Sequence, residues 1–178
     1  MNAHPALPTT GRPRERGAIL VTSLLLLLTL TIIGVSVVQV TRMQERMAGN
    51  MRDLNLAFQG AEAALRDGEA QVEGTINLAT CTVAPCATWE RQTLPVLTAT
   101  TVAWWAANAQ EYGTDGTREL TDLAADPQFV VEHVRQVKPS LNVDDTFGRD
   151  FFQVTARSAG GSGGTNTMLQ VTYAKVLD

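Results

Sequence analysis

Histidine and cysteine are nearly missing from this chain: only His4, His133, Cys81 and Cys86 occur in 178 residues. A structural zinc site takes about four Cys or His ligands. Here His4 would have to join the other three across a long apolar run, so no metal site and no cofactor are expected. Charge is also sparse, at 18% of residues against a usual share of about 25%. The net charge is −4, which lacks the basic footprint of a nucleic-acid binder. Proline is absent between Pro13 and Pro85, so nothing in that stretch forces a helix to end. Neither Ser-x-x-Lys nor His-Glu-x-x-His occurs, and His133 is the one imidazole beyond the N-terminal leader. No catalytic constellation is apparent, and an enzyme is not expected.

One segment has no charge at all. From Gly17 to Thr41 there is no Asp, Glu, Lys or Arg, and Leu24 to Leu28 are consecutive leucines. About 20 predominantly apolar residues suffice to cross a bilayer as a helix. A core helix in a small soluble domain would instead keep a polar face. The leader, residues 1–17, holds Arg12, Arg14 and Arg16 against Glu15, a net +2. Basic flanks stay cytoplasmic, so the chain after residue 41 is expected outside the cytoplasm. A cleaved secretory signal fits poorly. Its apolar core is about 7–15 residues long and ends in a small-x-small site, whereas Arg42-Met-Gln-Glu-Arg46 follows here.

The helix is expected to continue beyond the span. Residues 42–73 are rich in Ala, Leu, Gln, Glu, Arg and Met, all good helix formers. Leu54, Phe58, Ala61 and Leu65 fall on one helical stripe, which predicts the face that packs on a head domain. Gly34, Gly49, Gly60 and Gly68 each weaken a helix by roughly 1 kcal/mol, and Gly49-Asn50 is the expected break. The expected organisation is a leader over 1–17, a membrane-spanning helix over 18–41, its amphipathic continuation over 42–73 and a head over 74–178.

The stretch Arg16-Gly-Ala-Ile-Leu-Val21, the leucine run, Gln44-Glu-Arg-Met-Ala-Gly-Asn50 and Ala57-Phe-Gln-Gly-Ala-Glu-Ala-Ala-Leu-Arg66 resemble the N-terminal region of the PilX family, minor pilins of bacterial type IV pili. The resemblance implies an α+β, pilin-like fold, with a long N-terminal helix packed on a small antiparallel sheet. It implies cleavage by prepilin peptidase after Gly17 and N-methylation of Ala18. It implies membrane lipid as the helix's surroundings before assembly and a pilus core afterwards. Other minor pilins, the major pilin, the inner-membrane assembly platform and a large tip adhesin are the implied partners. Prepilins usually carry Glu at the fifth mature position; here that residue is Thr22. Tip subunits of related filaments share this lack, so a tip or priming position is expected. A minor pseudopilin of a type II secretion system and a plain membrane-anchored periplasmic protein are the alternatives.

The remaining 105 residues suit one head domain. Cys81 and Cys86 close a short loop, and an oxidising compartment makes a disulfide the default for so close a pair. Trp104-Trp105 lies in a segment expected to be a short helix, with one indole inward. Strands are expected at Phe129–Val134, Phe151–Arg157 and Met168–Val176, from β-rich alternation between turn signals. Phe152, Val154 and Ala156 would share one face, as would Leu169, Val171 and Tyr173. Ser158–Gly164 is expected to be the loop of a hairpin, and Asp144-Asp145 a solvated turn.

Overall fold

A computed structural model describes residues 16–75, 79–113, 120–138 and 148–177. The chain divides into two units, residues 1–47 and 48–178. A single helix, α1 (Arg16–Gly74), contributes to both. Gly49-Asn50 does not interrupt it. Nothing crowds Gly49, and the helix formers on either side outweigh the cost of one glycine.

Within residues 17–47, α1 is exposed on every side. It is long and apolar enough to cross a membrane. Its hydroxyl groups are satisfied inside the helix. Thr22, Ser23, Thr29, Thr31, Ser36 and Thr41 each donate to a carbonyl three or four residues earlier. An unpaired hydroxyl in hydrocarbon is costly, and this back-bonding removes that cost.

The second unit is an α+β domain. Among the described residues its sheet has six strands: β1 (Thr80–Cys81), β2 (Thr88–Trp89), β3 (Gln110–Glu111), β4 (Gln128–Val137), β5 (Gly148–Ala159) and β6 (Asn166–Leu177). The spatial order is β1-β2-β4-β5-β6, with β3 also on β4. The meander β4-β5-β6 is antiparallel. The two-residue strands β1 and β2 add in parallel, so the sheet as a whole is mixed. Strands so short leave no periodicity to read. The three long strands run past the sequence-based bounds, because ladder pairing carries polar residues such as Gln128 and Asn166 into the sheet. The β4–β5 register slips between His133 and Arg135, a bulge that bends the strand.

Both faces of the sheet are covered. On one face, Ala64 and Val72 of α1 pack with Phe129, Val131, Phe152, Val154 and Ala156. Leu65, Val171 and Tyr173 close its margin. On the other face, Val130 packs with Cys86, Trp89 and Trp105. This explains the unbroken apolar triplet Phe129-Val-Val131, since a strand buried on both sides does not alternate. Trp105 lies in α2 (Val102–Asn108), whose N-cap Thr101 accepts from the Trp104 amide. Trp105 is fully buried and Trp104 half-buried.

The contact face of α1 is not the one its large apolar residues suggest. Leu54 and Phe58 are 50% and 46% exposed. Ala61 is buried and Leu65 half-buried. The buried stripe is Ala57, Gly60, Ala61, Ala64, Gly68 and Val72. Small residues are there because the sheet comes close. A Cβ on Gly68 would stand 2.5 Å from Val154 Cγ1 and 2.9 Å from Phe129 Cδ2. One on Gly60 would meet the Ser158 side chain and stand 2.8 Å from Leu123 Cδ1.

This geometry separates the two kinds of helical glycine. Gly68→Ala should destabilise the domain by about 1–3 kcal/mol through overpacking. Gly49→Ala, in open space, should stabilise α1 by roughly 0.5–1 kcal/mol. Denaturant titration of the full chain in detergent reads both changes. Equal effects at the two sites would contradict the close packing.

Candidate assembly surfaces

Two polar contacts fix α1 against the domain at points 20 or so residues apart, ~30 Å along a helix. The first is Asp53, which faces the β5–β6 hairpin loop. Ser162 donates to its carboxylate from both its amide, at 2.8 Å, and its hydroxyl, at 2.7 Å. The loop fits because it is glycine-rich. A Cβ on Gly160 would lie 2.7 Å from the carboxylate of Asp53, and Gly163 takes a positive φ of 72°. Hydrogen bonds from the Thr165 hydroxyl, the Ser162 hydroxyl and the Ser162 and Gly161 amides hold the Asp53 carboxyl below its ordinary value.

The second contact is Lys175 of β6. Its ammonium donates to the carbonyls of Val72 (2.7 Å), Glu73 (3.3 Å) and Thr75. These carbonyls lack helical partners at a C-terminus, and a cation there also suits the helix dipole. Asp53 and Lys175 therefore tie the two ends of β6 to the two ends of the packed half of α1.

The residues Gly160–Gly164 also spell Gly-x-Ser-x-Gly. That pattern carries chemistry on a strand-to-helix elbow. Here it is a β-hairpin turn, and the Ser162 hydroxyl is held by Asp53. Among the described residues no group of three or more His, Cys, Asp or Glu side chains converges. Asp144 and Asp145 lie outside the described residues. His133 sits in β4 beside Asp150, with Nε2 to Oδ1 at 3.5 Å, and its ring is 5.2 Å from that of Phe152.

Gly17 and Ala18 occupy the first turn of α1, exposed and uncrowded. The Ala18 carbonyl accepts from the Thr22 hydroxyl at 3.1 Å. Cys81 and Cys86 are joined in a disulfide with Cα atoms 5.8 Å apart. It ties the loop that carries Cys86 into the second core, beside Trp89 and Trp105.

The PilX N-terminal family matches residues 16–66, and the type IV pilus assembly protein PilX C-terminal family matches residues 63–175. This chain belongs to the PilX family. The two matches meet inside α1 and cover its membrane-compatible half, its packed half and the domain beyond. No curated protein and no solved structure matches the chain. PilX proteins are structural components of type IV pili that interact with other pilus components. The exposed apolar half of α1 fits a membrane-anchored member of that family.

Sequence reading alone overlooked Asp53, Lys175 and the glycine contacts. The run Ala57, Gly60, Ala61, Ala64 and Gly68 is the signal that marks the contact face, since small residues at helical spacing permit close approach. Asp53 and Lys175 carry no such local signal. Their partners are 109 and about 100 residues away in sequence.

The Asp53 contact is pH-sensitive in a defined direction. A carboxyl depressed by folding contributes stability that is present above its ordinary value of 3.8. That contribution is lost as pH falls through the lowered value. Asp53→Asn should therefore lower stability at neutral pH and flatten the acid limb of the stability profile. Denaturant unfolding from pH ~7 down to ~2 measures this. An unchanged acid limb in the variant would contradict the role given to Asp53.

Proposed function

We propose that this PilX-family chain is a minor pilin at or near the pilus tip, acting in the complex that primes assembly. The observation that carries the reading is Thr22. At the fifth position after Gly17, a shaft subunit would present a carboxylate to the amino terminus of a neighbour. Thr22 has no charge, and its hydroxyl is committed to the carbonyls of Ala18 and Ile19. Leaving an ammonium unpaired in an apolar core costs several kcal/mol. A subunit with no predecessor above it avoids that cost.

The processing follows the same logic. Prepilin peptidase cuts after Gly17, at the cytoplasmic face, and methylates the amine of Ala18. The basic leader leaves while the apolar helix stays whole. The head then lies in the periplasm, with the chain held in the inner membrane until assembly. Other minor pilins, the major pilin, the assembly platform and a large tip adhesin are the partners. The pilus assembly family over residues 63–175 favours a pilus over a secretion filament.

Intact-mass and N-terminal analysis of the protein from its native membrane tests processing. The expected chain begins at methylated Ala18; a retained leader would leave a plain membrane anchor. Immunogold labelling of sheared pili tests position. Label at one end supports a tip subunit, and even label along the shaft would overturn that position.

A further inference from the structure

On the sheet face away from the packed half of α1, the second core covers Val130 of β4. Two residues further along the strand, on the same face, Glu132 lies in an open groove. The groove holds about 460 Å³, within the ~300–1,000 Å³ usual for ligand pockets. Glu132, Gln153, Thr155 and Gln170 form its polar floor across three strands. The wall is apolar. Leu94, Leu97 and Met168 pack against the second core and so fix the wall. Val96 also lines the groove and is 72% exposed.

The floor is held in place by its own hydrogen bonds. Thr155 Oγ1 accepts from Gln170 Nε2 at 2.9 Å. Glu132 Oε1 accepts from the Gln92 amide at 2.8 Å. Gln92 has a φ of 61°, a left-handed conformation that costs a non-glycine residue free energy. The turn thus spends some stability in aiming its amide at this carboxylate.

Among the described residues, Glu132 is the one charged residue lining the groove. The ion pairs among those residues are Glu62–Arg66 and His133–Asp150, so no cation is paired with Glu132. Arg135, the next basic residue along β4, is turned onto Phe151, with its guanidinium carbon 5.0 Å from the ring centre. A carboxylate offers about four lone-pair sites, and the Gln92 amide takes one. Beside an apolar wall the others attract a cation more strongly than in open water.

We propose that this groove binds a lysine or arginine side chain of another pilus component. The aliphatic stem lies along Val96, Leu97 and Met168, and the charged head meets Glu132. A metal ion fits less well. It takes several oxygen ligands, and no group of three acidic, His or Cys side chains converges among the described residues. A free amine would leave Val96 in water, whereas a partner's surface covers it. This deepens the minor-pilin reading, on which it rests, by giving the partner a surface.

The test places a photo-crosslinking residue at Val96 of the full chain in piliated cells, alone and combined with Glu132→Gln or Glu132→Lys. Glu132→Gln removes the charge and keeps an oxygen for the Gln92 amide. Mass spectrometry maps the partner peptide. The expected crosslink joins one segment of another pilus component, with Lys or Arg beside the crosslinked position. Glu132→Gln should lower its yield roughly tenfold, as a charge-assisted hydrogen bond becomes a neutral one. Glu132→Lys should abolish it, and replacing the partner's basic residue by Glu should restore it. Equal yield with Glu132→Gln, a partner segment without Lys or Arg, a crosslink to a second copy, or no rescue by the partner's reversal would overturn the proposal. A chain present in the pilus fraction without any crosslink would overturn it and leave the pilin reading intact. A chain absent from that fraction would overturn both.

Discussion

The close approach of α1 to the sheet governs the rest of this molecule. Gly60 and Gly68 let the helix backbone come down onto Ser158, Val154 and Phe129, and Ala57, Ala61 and Ala64 keep the same stripe flat. The burial per residue is small, since alanine and glycine carry little apolar surface. What the stripe contributes is proximity. It brings the sheet's own large residues, Phe129, Val131, Phe152 and Val154, against the helix in one core. The Asp53 and Lys175 contacts then fix where along the helix the sheet sits.

That arrangement leaves the helix's larger apolar side chains elsewhere. Met51, Leu54 and Phe58 are exposed, as is every residue from Gly17 to Thr41. A helix built only to support a soluble domain would not keep so much apolar surface in water. In a membrane-anchored pilus component an apolar surface of this kind has a lipid environment to occupy. The back-bonded hydroxyls suit that environment, because they ask nothing of it. The small-residue stripe thus serves the fold, and the larger apolar residues of the helix stay outside it.

Much of this was legible in the sequence. The uncharged run from Gly17 to Thr41, the proline-free stretch and the three β-rich segments placed the long helix and the antiparallel meander. The Gln44–Asn50 and Ala57–Arg66 motifs placed the family. What was not legible had specific physical causes. Ranking helix faces by large apolar residues selected Leu54 and Phe58, whereas the real contact selects against bulk. β1, β2 and β3 are too short for any periodicity. The Trp89–Trp105 core on the second sheet face depends on loops whose packing is set by β4, some forty residues from Trp89 in the chain. Asp53 and Lys175 act through contacts that only the tertiary fold creates.

The Ala57–Val72 stripe, and not the Leu54–Phe58 side, faces the sheet. Single cysteines at Leu54, Phe58, Ala61 and Ala64, with Cys81 and Cys86 kept oxidised, test it most directly. In the folded full chain in detergent, a maleimide should label the first two quickly and the last two only after denaturation. Protection at Leu54 and Phe58 with rapid labelling at Ala61 and Ala64 would contradict the account.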